Sequence, residues 1–102
     1  MEREAKFEFD PPKSALNKTQ HGIDLVEAQA IWQDPDCVRV LSEKKGTTEF
    51  RFLIVGLIGE KLWTAVGTMR DIHNIRLMSC RRARPKEKAR YYARRAANKR
   101  GR

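Results

Sequence analysis

Residues 49–69 read Glu49-Phe50-Arg51-Phe52-Leu53-Ile54-Val55-Gly56-Leu57-Ile58-Gly59-Glu60-Lys61-Leu62-Trp63-Thr64-Ala65-Val66-Gly67-Thr68-Met69. Two runs rich in Val, Ile, Leu, Phe and Trp, Glu49–Leu57 and Lys61–Met69, flank the turn pair Gly59-Glu60, the pattern of a hairpin. Similar runs, Cys37–Leu41 and Ile75–Arg81, lie beyond the turn-like stretches Ser42–Thr48 and Asp71–Asn74. Connections this short join antiparallel neighbours, so the region predicts a meander of three or four strands.

On the N-terminal side, Lys6-Phe7-Glu8-Phe9 alternates and predicts a short first strand. Asp10-Pro11-Pro12 opens a helix, with an acid at the cap and proline where a missing N–H does no harm. That helix runs to His21-Gly22, glycine taking the left-handed closing position. Asp24-Leu25-Val26-Glu27 resembles a capping box and starts a second helix with the apolar stripe Leu25, Ala28 and Trp32, broadened by Ile31. Asp34-Pro35-Asp36 stops it. On the C-terminal side, Pro85 begins a last helix that reaches about Asn98. Its stripe of Ala89, Tyr92, Ala93 and Ala96 is expected to face the sheet, its bases water. The order β-α-α-β-β-β-β-α, helices segregated from a meander, predicts an α+β domain.

Charge is distributed very unevenly. Residues 81–102 hold eleven Arg and Lys against one acid, Glu87, whereas residues 1–80 are close to neutral. The net charge of +9 therefore belongs to one segment, which raises the local potential and attracts polyanions. At 102 residues the chain supports one modest core. We expect a domain over 1–92 and a basic extension over 93–102. Apolar residues at 40% and charged residues at 34% fit a soluble globular protein rather than a disordered one. The longest apolar run, Phe52 to Ile58, is too short for a bilayer span, and the N-terminus carries no secretion signal. A cytoplasmic location with no membrane partner is expected, and Cys37 and Cys80 read as small buried residues rather than a disulfide.

Absences narrow the chemistry. There is no glycine-rich phosphate loop, and His21, His73, Cys37 and Cys80 lack metal-ligand spacing, so neither a metal nor another cofactor is expected. Polar residues inside or at the ends of strands remain. Glu49 and Arg51 project from one face of their strand, as an ion-pair partner or as part of a site. Arg81 and Arg82 point to opposite faces, and one of them must meet an anionic partner or a ligand phosphate. His21 ends a helix, as a cap or as a base. Glu87 and Tyr91, four apart, share a face of the last helix. Together these residues suggest a basic cleft between sheet and last helix. Such an inventory suits metal-free RNA cleavage, in which the 2′-hydroxyl attacks the adjacent phosphate, a base takes its proton and cations hold the phosphorane.

The run Phe7-x-Phe9-Asp10-x-x-Lys13-x-x-x-Asn17-x-x-x-His21-Gly22 closely resembles the opening of the BrnT family of toxins. Glu27-Ala28, Asp34-Pro35, Glu49-Phe50-Arg51, Thr68-x-Arg70, Ile75-Arg76-Leu77-Met78-Ser79-Cys80-Arg81-Arg82-Ala83 and Glu87-x-x-x-Tyr91 follow in the family's order. The resemblance implies a RelE-like α+β fold and a ribonuclease toxin of a type II toxin–antitoxin pair. It also implies a BrnA-like ribbon-helix-helix antitoxin, with operator DNA met only through the toxin–antitoxin complex. The family's polar set falls on His21, Glu49, Arg51, Arg81, Arg82 and Tyr91. Arg70, Arg84, Lys86, Lys88 and Arg90 are the expected RNA contacts. Gln20 replaces the usual lysine before His-Gly, Cys80 replaces a usual alanine, and the extension after Tyr92 is unusually long and basic. The competing reading is a non-catalytic nucleic-acid-binding module that uses the same arginines as phosphate clamps.

Overall fold

The computed structural model describes residues 6–43, 50–69 and 74–101, with the side chains at 42, 43 and 50 outside that description. Glu49 and Arg70 thus lie outside the described residues. Along the chain run β1 (Lys6–Glu8), α1 (Pro11–His21), a 3-10 helix (Glu27–Gln33), β2 (Val38–Glu43), β3 (Phe50–Ile58), β4 (Lys61–Met69), β5 (Asn74–Arg82) and α2 (Pro85–Arg100). The strands form a five-stranded sheet in the order β1-β5-β4-β3-β2. β2 to β5 are the antiparallel meander that the sequence predicts. β1 closes the far edge in parallel with β5, Phe7 beside Ile75. The architecture is α+β.

α1 and the 3-10 helix cover one face of the sheet. Ile23, Leu25, Ala28 and Ile31 meet Phe52, Ile54, Ala65, Ile75, Leu77 and Cys80 there in the main core. α1 opens on Pro11 and closes at Gly22, whose φ of 80° lies in the left-handed region that a side chain disfavours. The predicted capping box forms: Asp24 Oδ1 accepts the N–H of Val26 and Glu27, and Glu27 Oε1 accepts that of Asp24. The helix it opens has three residues per turn, so the fully buried stripe is Leu25, Ala28 and Ile31 at three-residue spacing. Trp32 is turned aside, edge-on to Phe7 at 4.8 Å.

Asn17 locks α1 to the sheet. Its amide donates to the carbonyls of Ile23 (2.7 Å) and Cys80 (2.9 Å), and its Oδ1 accepts the N–H of Cys80. Every polar atom of this buried side chain is thereby satisfied.

β4 and β5 slip by one residue between Val66 and Gly67: Val66 pairs with Ser79, Gly67 with Leu77, and Met78 is the extra residue. A bulge reverses the alternation of the strand beyond it. Arg76 and Arg81, five apart, would otherwise point to opposite faces; here both lie on the α2 face, beside Thr68 and Thr64 respectively. Gly67 is required at this point, since a Cβ would come within 2.8 Å of the Arg76 carbonyl oxygen.

α2 crosses one end of the other face, over a small core of Val55, Leu62, Ala83 and Tyr91. Its buried side corrects the sequence reading. Ala89, Tyr92, Ala93 and Ala96 face away from the sheet, Tyr92 being 54% exposed, and the helix instead lies on Glu87 and Tyr91. Alanines bury little apolar area, whereas Tyr91 buries a whole ring and its hydroxyl finds a partner beneath it. Among the described residues no helix is long and apolar enough to cross a membrane.

Candidate functional site

The α2 face of the sheet is built in three rows that follow from strand register. The row under α2 is Val38, Val55, Thr64 and Arg81; the next is Val40, Leu53, Val66 and Ser79. The outermost carries Thr68, Arg76 and Glu8, side by side on β4, β5 and β1. Arg51 belongs to that outer row, because it pairs with Ser42 and precedes Phe52, whose partner is Gly67. On the opposite face the same strands bury Phe52, Ile54, Ala65, Ile75 and Leu77. Here Val40, Leu53, Val66 and Ser79 are only half-buried, in contrast to the fully covered row on the opposite face.

Arg81 stands where this open surface meets α2. Its guanidinium is held in two parallel bonds of 2.8 Å by Glu87, Nη1 to Oε1 and Nη2 to Oε2. Thr64, fully buried in β4, donates its hydroxyl to Oε1 at 2.9 Å, and the Arg84 N–H donates to the same oxygen at 2.8 Å. The carboxylate thus collects donors from β4, β5 and the start of α2. The Arg81 guanidinium above all, then the Arg84 N–H and the Thr64 hydroxyl, hold the Glu87 carboxyl down at about 2 against the opposing effect of burial. Glu87 in turn raises the affinity of Arg81 for its proton.

A second polar clamp fixes the middle of α2. Tyr91, 1% exposed, donates its hydroxyl to Asp34 Oδ2 at 2.7 Å. Asp34 also accepts the N–H of Leu57 and of Asp36. Burial opposes the Asp34 charge, but these donors and nearby Arg95 bring its carboxyl below the usual range. Burial, and then the bond to Asp34, push the Tyr91 phenol well above its ordinary value. Asn98 closes the third clamp by donating to Asp36 at 2.9 Å. The helix continues unbroken through Tyr92 to Arg100, across the boundary expected between domain and extension.

The five described residues of the expected polar set, all but Glu49, do not share one cleft. Arg51, Arg81 and Tyr91 are on the α2 face. Arg82 is on the other face: it pairs with Trp63 and stacks over its ring at 5.5 Å, and Nε donates to the Leu62 carbonyl. His21 is exposed at the end of α1, the helix that covers that face. Glu8 is level with Arg76 and Asn17 with Cys80, so α1 travels with β5 and delivers His21 toward the end that carries Arg82. On the α2 face, Arg51 is two strands and about four residues from Arg81, or roughly 16 Å at ~4.8 Å per strand and ~3.3 Å per residue. Of the expected RNA contacts, Arg84, Lys86, Lys88 and Arg90 occupy the first turns of α2, all exposed except the half-buried Lys88.

Three residues of this surface carry little signal in the sequence alone. Thr64 was legible as a hydroxyl inside an apolar strand. Asp34 carries in sequence only the signal of a helix stop. Arg76 was hidden by the bulge, which no alternation rule anticipates.

The crystal structure of the Brucella abortus ribonuclease toxin BrnT, at 1.1 Å resolution, has a similar fold. The TM-score is 0.56 at 17% identity, over 78% of this chain and 97% of that one, a likeness that speaks to fold alone. No curated protein sequence matches. The profile of the family described as "Ribonuclease toxin, BrnT, of type II toxin-antitoxin system" matches residues 9–87. The chain belongs to that family.

Proposed function

We propose that this chain cuts RNA internally, without a metal or other cofactor, by attack of a 2′-hydroxyl on the adjacent phosphate. The observation that carries the reading is the Arg81–Glu87 clamp at the rim of an open sheet face that also bears Arg51 and Arg76. A fixed guanidinium costs no reorganisation when charge builds on a phosphorane. Arg81 is the charge-stabilising group, and Arg51 supports it from the far side of the surface. Glu49, two residues before Arg51, is the candidate base, since alternation gives the two one face. His21 and Arg82, across the sheet, are placed second. Tyr91 anchors α2 through Asp34, and its committed proton makes it a poor acid.

The proposal extends to the cell. The protein acts in the cytoplasm as one half of a toxin–antitoxin pair, and a ribbon-helix-helix antitoxin silences it and carries the complex to operator DNA. Residues 93–102 serve as a basic extension of a domain that ends near Tyr92. The deciding experiment incubates purified protein with RNA in EDTA. Scission leaving a 2′,3′-cyclic phosphate is expected, and a 2′-deoxy sugar at the cut site should block it. Strict dependence on Mg²⁺, or cleavage of the deoxy substrate, would overturn the mechanism. Tight RNA binding without scission would favour a binding module, a reading that the withdrawn Tyr91 hydroxyl supports.

A further inference from the structure

The outer row of the sheet face is built differently from the Arg81 site. Arg76 meets Glu8 at 3.5 Å, with both side chains more than two-fifths exposed. An ion pair so open to water contributes little, and a phosphate can take the place of the carboxylate. Thr68 sits directly beside Arg76 on β4 with a hydroxyl to offer, and Arg51 is the next position along the row. From this row to that of Thr64 and Arg81 is four residues of β4, about 13 Å at ~3.3 Å per residue. One nucleotide link cannot bridge that span; two can. Between the rows lies the half-buried strip of Val40, Leu53 and Val66, an apolar floor for a base or sugar.

We infer that Arg76 and Thr68 form a second phosphate subsite, which grips an unpaired RNA strand two links away from the phosphate at Arg81. The inference rests on the reading that the ligand is RNA and adds where the strand lies. It crosses the sheet along the strands, with backbone charge on the two arginine rows and a base over Leu53 and Val66. An apolar floor between two cationic rows fits a strand of regularly spaced phosphates. Phosphate contacts of this kind fix register without reading sequence. Glu8 competes with the ligand for Arg76, and its removal should strengthen binding.

The test uses 2′-O-methyl oligoribonucleotides of mixed sequence, which bind but cannot be cut, as a dinucleotide and a hexanucleotide. Arg76→Ala should weaken the hexanucleotide about tenfold, leave the dinucleotide unchanged, and reduce the log–log salt slope by ~0.7, the value for one phosphate contact on a single strand. Arg76→Lys should restore most of the slope. Glu8→Gln should tighten hexanucleotide binding severalfold, a gain that misfolding cannot mimic. Lys61→Ala, which removes an exposed cation on the opposite face, is the control for charge alone. Equal losses for Arg76→Ala and Lys61→Ala, or unchanged hexanucleotide binding in both Arg76→Ala and Glu8→Gln, would overturn the subsite. So would an Arg76→Ala protein that loses only its antitoxin, which would assign the row to an acidic protein surface. A wild-type protein that binds the hexanucleotide as described but cuts no RNA defeats the catalytic reading and leaves the subsite standing. One that binds no RNA defeats both.

Discussion

Arg81 and Glu87 face each other as a planar fork on a carboxylate, six residues apart across the turn from β5 into α2. The pair does two things: it fixes the guanidinium beside the open face and pins the first turn of α2. Breaking one side strands the other at a nearly buried position. Glu87→Ala should therefore destabilise the fold by about 2 kcal/mol, below the ~3–5 of a fully buried pair because water reaches Arg81. Denaturant unfolding measures this, and an unchanged midpoint would contradict it.

The same pair sets an acid limit. Glu87 has its carboxyl pulled from the ordinary 4.5 to about 2, so the folded state binds this proton less readily than the unfolded chain. Its stabilisation is complete above about pH 4.5 and is lost as pH falls toward 2. Thermal melting of wild type against Glu87→Gln should show the two curves converging across that window. Parallel curves would remove Glu87 from the acid response.

The two adjacent arginines are not equivalent. Arg81→Ala should lower RNA cleavage by about 10²–10³, the usual cost of one charge-stabilising donor. It should also relieve growth arrest when the protein is expressed without antitoxin. Arg82→Ala, on the far face over Trp63, should cost less than tenfold. Equal losses would mean that the reaction does not take place on the α2 face.

Tyr91→Phe separates anchor from acid. Loss of the hydroxyl leaves the half-buried Asp34 with two donors, so stability should fall by about 1 kcal/mol. The cleavage rate of the folded protein at neutral pH should change less than threefold. A large fall in rate with an intact melting curve would return Tyr91 to the chemistry.

Removing residues 94–102 should flatten the salt dependence of RNA binding by ~0.7 per lost phosphate contact on single strands. It should also lower the melting temperature, because Asn98 is tied to Asp36. An unchanged salt slope would make the segment a scaffold only.

Local signals carried much of this fold. Lys61–Met69 is a strand at the bounds read from its composition, and α1 begins at proline and ends before glycine as its flanks dictate. Three features were not legible, each for a physical reason. The Leu25, Ala28 and Ile31 stripe follows a three-residue turn, which a 3.6-residue template blurs by adding Trp32. α2 turns a glutamate and a tyrosine inward because their partners, Arg81, Thr64 and Asp34, come from other elements. The Met78 bulge shifts parity by one, so alternation counted along residues 75–82 gives Arg76 the wrong face. The candidate site was accordingly half visible: Arg51 and Arg81 share a surface, whereas His21 and Arg82 belong to the other side.

The parallel pairing of β1 with β5 also has a meaning in the order of synthesis. As the chain leaves the ribosome, β1 has no neighbour until residues 74–76 have followed it out. Arg81 gains its clamp later still, once Glu87 has emerged. Although it precedes the other four strands in the chain, β1 is thus placed only after β5 has been made, and the Arg81 clamp closes only after all five strands of the sheet are out.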